Sequence, residues 1–506
     1  MNAVIGLVVG IPLLTSMLAL AIRGRQLLRD VVVVATLVAV TALSIVLLLR
    51  VREDGPVALR VGDWSPELGI TLVADRLAVL VLAVAMATIL LVELFAIGQR
   101  RTASGADPTV VGPMLLVLTG GVALSILTGD LFTLFVAFEL MLVASYVLLT
   151  HQGRRGQVRS GMTYVVINLL ASTFFLVGVA FVYASTGTVN FALLAERVPE
   201  LADGVRWGIG LWFLVVFGTK AAIFPLFSWL PDSYPTAPTT ITAVFAGLLT
   251  KIGVYVMIRF HVLTGMDDLG GLMLVIAGFT MIVGVAGALA QDDVKRILSF
   301  HIISQIGYML MGLGLFSVAG IAGAIFFLVH QIPVKTVLFL VGGLIETDRG
   351  TSALDKVNGL IGRRPLVALC FGLGALSLAG LPPFSGFVAK FALVDAGLDI
   401  DSVAIVVVAL VGSVFTLLSM TKIWLGVFWG KPDDDPGLDV DACPPASWST
   451  MMGATAAMIA VTAAIAVLAG PIHDLSVDAA TDLLDGDVYA DLVLEMSDET
   501  ARGGDS

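Results

Sequence analysis

Four lysines, Lys220, Lys251, Lys335 and Lys390, each lie inside a long apolar run, and one carboxylate, Glu139, is embedded in the same way. Placing a lysine at the middle of a bilayer costs about 2.5–3.5 kcal/mol on insertion scales, so four of them in one chain point to a use. The chemistry open to a buried amine is proton exchange near neutrality. Two histidines extend the set. His330 precedes Lys335 by five residues in FFLVHQIPVKTVLFL, with Pro333 between them. A regular helix would hold the two about 140° apart, and a proline distortion would let both reach one polar file. His301, in SFHIISQIGYM, brings Ser304, Gln305 and Tyr308 with it. A row of groups that titrate near neutral pH suggests a path for protons or ions.

Glu139, in LFTLFVAFELMLVASYVLL, stays charged most easily beside an opposite charge, and the expected partner is Lys220. For Lys251 and Lys390 two readings stand, a relay group or a side chain that snorkels to an interface. Glu93 would find its partner on a neighbouring subunit, while Asp130, Arg259 and Lys422 read as interfacial anchors. Asp232 either feeds protons to Lys220 or caps a helix.

These residues must be positioned by membrane helices. The chain has 506 residues, 58% of them hydrophobic and 13% charged, with a mean hydropathy of +1.00. That composition belongs to a polytopic all-α membrane protein. Apolar runs of spanning length fall near 3–22, 31–49, 74–97, 110–128, 131–150, 162–184, 207–230, 239–262, 271–290, 296–315, 319–345, 366–391, 402–429 and 450–470. About fourteen helices are expected. Fifteen arginines and lysines fall in one set of alternate loops and six in the other, which places both termini outside. The N-terminus reads as a first membrane helix and not as a removed signal peptide.

Two spans carry proline at membrane depth within ten residues of a lysine: the seventh, GTKAAIFPLFSWLPDSYPTAPT, and the twelfth, LAGLPPFSGFVAKFAL. Proline removes a backbone donor and interrupts a helix, and freed backbone is tolerated in a bilayer only inside protein or beside water. Broken helices at corresponding places in two halves point to inverted repeats. The seventh and twelfth spans are five apart, which gives the expected divisions 1–110, 111–262, 263–430 and 431–506. From Pro471 onward the chain is too acidic to span, and a solvated exterior tail ending in a disordered ARGGDS is expected.

Several functions are excluded. No basic patch interleaves with aromatics, so nucleic-acid binding has no footprint. Cys370 and Cys443 have no metal-ligand spacing, and neither a phosphate loop nor a dinucleotide fingerprint occurs. No cofactor, no metal and no enzymatic chemistry of the chain's own is expected.

The motifs around these residues resemble the antiporter-like membrane subunits shared by respiratory complex I and the multi-subunit Mrp-type monovalent cation/proton antiporters. The resemblance rests on FELMLVASYVLL, GTKAAIFPLFSWLPDSYPTAPT, LLTKIGVY, RILSFHIISQIGYM, HQIPVKTVLFL and GLPPFSGFVAKF. FELMLVASYVLL and PPFSGFVAKF are most similar to the D-subunit branch. The resemblance implies a bacterial cell (inner) membrane location, two inverted five-helix units and work among other Mrp subunits, exchanging protons for Na+ or K+. It also implies roles: Glu139 and Lys220 as a coupled pair, Lys251 as central relay, His330 and Lys335 as connecting groups, and Lys390 as terminal proton site. Gln331 stands where the family usually has alanine, and it would add a hydrogen bond to the path. Two other readings are a proton-pumping subunit of an NADH–quinone oxidoreductase-like complex and a subunit that only scaffolds its assembly.

Overall fold

The computed structural model describes residues 2–22, 24–65, 69–100, 109–430, 445–486 and 488–494. Arg23, Arg101, Lys431, Cys443 and the closing ARGGDS lie outside the described residues. Nearly everything described is helix, as expected for backbone that must satisfy its own hydrogen bonds in lipid. Among the described residues, eleven helices are long and apolar enough to cross a membrane. Two shorter apolar helices, Val111–Leu127 and Pro365–Ala379, accompany them. The short β-strands Val57–Arg60 and Thr71–Ala74 form an antiparallel hairpin before helix Arg76–Arg100.

Helices Thr239–Leu263, Val294–Gly314 and Val318–Arg349 are buried on almost every side. Around them stand helices such as Arg155–Thr186 and Val403–Phe428, which bury only part of their surface and turn rows of Leu, Val and Phe outward. Lys251, His301, His330 and Lys335 are thus carried by the innermost helices. A helix that is apolar all round in sequence is placed at the centre of a bundle or in lipid, and here the inner ones are marked by their lysines and histidines.

Local signals set the helix ends. Asp130 caps Leu131–Thr150 by accepting from the Thr133 amide at 2.6 Å, and Asp293 caps Val294–Gly314 by accepting from the Arg296 amide at 3.0 Å. Asp130 is therefore a cap and not an anchor. The two prolyl breaks form where the sequence places them. Helix Asp203–Ala221 ends with Ala222 in the left-handed region and the chain resumes as helix at Trp229–Ser233. Helix Pro365–Ala379 ends at Gly380, φ 86°, and resumes at Ser385–Asp399. Pro333 behaves differently: it lies inside the unbroken helix Val318–Arg349. Close packing on all sides holds that helix together across the single lost donor.

The acidic C-terminal segment departs from its expectation. Ala469–Asp485 is an amphipathic helix that buries Leu475, Ala479, Ala480 and Leu483, and residues 488–494 form a further helical turn. Arg76 pairs with Asp482 at 2.5 Å, and Arg60 donates to the Val493 carbonyl at 3.1 Å. Counting charges hides the apolar stripe at helical spacing that docks this segment.

Candidate functional site

Each lysine of the row is buried: Lys220 is 5% exposed, Lys251 1%, Lys335 0% and Lys390 7%. Snorkelling is thereby ruled out for Lys251 and Lys390. Three of them bond to backbone carbonyls at irregular or crowded points. Lys390 Nζ donates at 3.0 Å to the carbonyl of Ala379, the last residue before the second break. Lys251 Nζ donates to the Ala246 carbonyl, which lies in a π-helical turn over Phe245–Leu249. Such turns free backbone groups inside a helix and are frequent at functional sites. Lys220 Nζ donates to the Asn168 carbonyl at 3.3 Å and the Ser172 hydroxyl at 3.1 Å.

The glycines of the second break make room for this arrangement. A Cβ on Gly380 would stand 2.7 Å from Lys390 Cδ, so only glycine admits the lysine stem across the break. A Cβ on Gly386 would overlap the Ser377 carbonyl oxygen and stand 3.1 Å from His330 Cε1, so only glycine lets the break pack this closely beside His330.

His330 Nδ1 shares a hydrogen bond with Ser385 Oγ at 2.8 Å, and His301 Nε2 shares one with Ser419 Oγ at 2.9 Å. Lys390 Nζ stands 4.9 Å above the Tyr308 ring. Gln331 donates to Gln305 at 3.3 Å, the added hydrogen bond expected of it. Lys335 is close enough to Lys251 and to Lys390 for their charges to interact, and both histidines feel Lys335 and Lys390. The structure therefore brings Lys251, Lys335, His301, His330 and Lys390 together on one axis. Along it, Lys335 Nζ, His301 Nδ1, His330 Nε2, Gln331 Oε1 and Ser304 Oγ have no hydrogen-bond partner among the described residues. Buried polar atoms are rarely left so.

The Glu139–Lys220 pair does not form as a contact. Lys220 has Asn168, Ser172 and the Phe138 ring, 5.7 Å away, around its ammonium. Glu139 Oε1 is unpartnered and its side chain half-buried, acting on Lys220 only through space. The physical reason is geometric: Phe138, not Glu139, is the neighbour on the inward face of that helix turn.

Other ionisable groups resolve differently from their sequence reading. Glu93 is fully buried and bonded to Arg100 at 2.7 Å, so its partner is in this chain and its helix is not an outer one. Asp232 pairs with Arg296 at 3.0 Å at an exposed place. Lys422 donates to the Leu289 and Gln291 carbonyls at 3.0 and 2.6 Å and pairs with Asp292. Arg259 is no interfacial anchor. It is 2% exposed and paired with Asp75 at 2.7 Å. Sequence reasoning missed Asp75, and the available signal was the Lys251, Tyr255, Arg259 spacing on one helix face.

The bundle and its buried lysines and histidines define a polytopic membrane protein. Residues 128–416 match the family described as NADH:quinone oxidoreductase/Mrp antiporter, transmembrane, and the chain belongs to that family. It is 40% identical over 502 residues to the D subunit of the Na(+)/H(+) antiporter of Alkalihalophilus pseudofirmus, covering 98% of this chain and 100% of the relative. It is 37% identical to the Bacillus subtilis protein of the same name, covering 86% and 89%. Among solved structures, a chain of the Mrp complex from Dietzia sp. DQ12-45-1b superposes with a TM-score of 0.90 at 34% identity, covering 98% and 100%. A chain of the membrane-bound sulfane sulfur reductase, an archaeal respiratory membrane complex, gives 0.88 at 26% identity, covering 97% and 100%. The D-subunit branch read from the motifs is thus the branch of the two antiporter relatives.

Proposed function

We propose that this chain is the proton-translocating subunit of a multi-subunit monovalent cation/proton antiporter in the bacterial cell membrane. It works in a hetero-oligomer with other Mrp-type subunits, and the exchanged cation is Na+ or K+. The observation that carries the reading is the axis from Lys251 through Lys335 to Lys390, with His301 and His330 beside it and a file of unpartnered polar atoms along it. A proton arriving on one lysine raises the cost of holding one on the next. Charge moved across about 100 mV is worth about 2.3 kcal/mol, enough to couple such steps to an opposing cation. Glu139 modulates Lys220 through space and feeds the axis from the first break.

In this reading the chain spans the membrane fourteen times with both termini outside. The eleven long helices, Val111–Leu127 and the two split pairs supply those spans. Residues 111–262 and 263–430 then form two inverted units after an N-terminal 1–110, with 431–506 closing the chain. Several paired features support the repeat. Asp130 bridges Asn190 as Asp293 bridges Ala353, each being the cap of a corresponding helix. Arg155–Thr186 and Val318–Arg349 both run 32 residues and both end on a left-handed glycine at φ 71°.

The 40% identity across the whole chain to an antiporter's D subunit favours exchange over quinone-coupled pumping. The test is sodium- and potassium-driven pH change in vesicles bearing the complete complex, with Glu139→Gln and Lys390→Ala in turn. Exchange should be strongly reduced in both, and normal exchange in both would support the scaffold reading instead.

A further inference from the structure

The first break is held from two sides, and Lys220 stands at its edge. Helix Asp203–Ala221 ends one residue after this lysine, and Ala222, with φ 62°, turns the chain out of the helix. The turn sends two amides back to the helix: Ala222 donates to the Thr219 carbonyl at 3.3 Å and Ile223 to the Gly218 carbonyl at 3.0 Å. The next amide finds its acceptor elsewhere. Phe224 N–H donates at 3.0 Å to the hydroxyl of Thr280, on helix Gly270–Leu289, and that hydroxyl donates to the Ile276 carbonyl at 2.6 Å. Pro225, which follows, has no amide to offer.

Thr280 is fully buried, and aromatic rings cover its bond. Phe224 stacks on the exposed Phe279 with centroids 5.2 Å apart and on Phe227 at 6.3 Å. On the opposite side the backbone of Lys220 and Ala221 lies against the Lys251 helix, Thr250–Leu263. A Cβ on Gly253 would stand 2.8 Å from the Ala221 nitrogen and 3.1 Å from the Lys220 carbonyl carbon, so only glycine admits this approach. The Lys220 ammonium itself is bonded to Asn168 and Ser172. The Thr280 bond fixes the chain just beyond the turn.

We propose that Thr280 is a positioning residue for proton transfer: by holding the Phe224 amide it keeps Lys220 in place against the Lys251 helix. The inference rests on the relay reading of Lys220 above. In the proposed division Thr280 belongs to the second unit and Lys220 to the first, so one unit sets the geometry of the other. Without the hydroxyl the Phe224 amide has lost its acceptor, and buried backbone donors are seldom left unpaired. The turn then moves towards another acceptor and carries Lys220 with it. A misplacement of about 1 Å can cost about 100-fold in rate.

The test compares Thr280→Val, which keeps the shape of the side chain without its hydrogen bond, with Thr280→Ser, which keeps the hydroxyl, in proteoliposomes of the complete complex. Thr280→Val should slow cation-driven pH change about tenfold or more, displace the pH profile of exchange and speed hydrogen exchange of residues 222–228. Thr280→Ser should restore all three. A bond that only supports the fold would lower the yield of complex and leave the pH profile of the assembled part unmoved, and that result overturns the proposal. Wild-type exchange in Thr280→Val overturns it as well. If Thr280→Val does not assemble, Phe279→Leu loosens the ring cover of the same bond from the exposed side. A displaced pH profile there supports positioning, and an unmoved one overturns it. Lys220→Ala is the companion: normal exchange in it sinks the relay role of Lys220 and this inference together. Lost exchange in Lys220→Ala beside a wild-type Thr280→Val sinks the positioning alone.

Discussion

The buried charges of this molecule divide into two populations. One set has a counter-charge in contact: Asp75 with Arg259, Glu93 with Arg100, and Lys295 with Glu346 at 2.9 Å. Along the centre, Lys220, Lys251, Lys335 and Lys390 have carbonyls, hydroxyls and aromatic rings, or nothing, but no carboxylate in contact among the described residues. A paired charge is held in one state by its partner, whereas an unpaired buried amine is free to lose its proton. The comparison separates groups that fix the bundle from the groups on which the proposed relay rests.

The difference predicts opposite responses to mutation. Removing one member of a buried pair leaves an uncompensated charge, so Arg259→Ala should cost about 3–5 kcal/mol. Thermal unfolding of the purified complex should show that loss as a large fall in Tm. Lys335→Met, by contrast, removes a buried cation that has no partner to strand. It should leave stability unchanged or raise it by about 1 kcal/mol or more. A Tm drop for Lys335→Met as large as that for Arg259→Ala would erase the distinction.

Smaller effects sharpen it. Ser419→Ala deletes the hydrogen bond that orients His301 and should cost about 1 kcal/mol, with slowed exchange read out in the same vesicles. The weakest expected effect concerns the C-terminal dock. Burial holds the Asp482 carboxyl above the usual carboxylate range, with the bond and charge of Arg76 opposing that rise and the Asp75 and Asp478 charges adding to it. The docked state thus binds this proton more tightly than the free segment does. As pH falls from the docked value towards the ordinary Asp range, docking should gain slightly, and it should lose as pH rises back through that window. Hydrogen exchange of 469–485 at mildly acid and neutral pH checks the sign, and faster exchange in acid, after correction for the intrinsic rate, would contradict it.

Much of the fold is legible in the sequence because lipid leaves the backbone so few choices. Span positions follow from apolar length, and both breaks follow from Pro225 and from Pro382 and Pro383. The lysines are legible because a charge in an apolar run stands out. Their contacts are not, because which face of a helix turns inward depends on its neighbours: Phe138 takes the place beside Lys220 that sequence reasoning assigns to Glu139. Arg259 is misread because nothing local ties it to Asp75, 184 positions away. The C-terminal helix escapes notice because its acidic residues lie on the face opposite a stripe of Leu and Ala. Pro333 promises a distorted helix, but dense packing keeps Val318–Arg349 whole.

The central claim is that the unpaired lysines carry the protons, and Lys335, whose ammonium has no hydrogen-bond partner among the described residues, is the sharpest place to ask. Cation-driven pH change should be measured in proteoliposomes of the complete complex carrying Lys335→Met, alongside confirmation that the complex is intact. The account predicts an assembled, stable complex with no exchange. Wild-type exchange from that complex would contradict it.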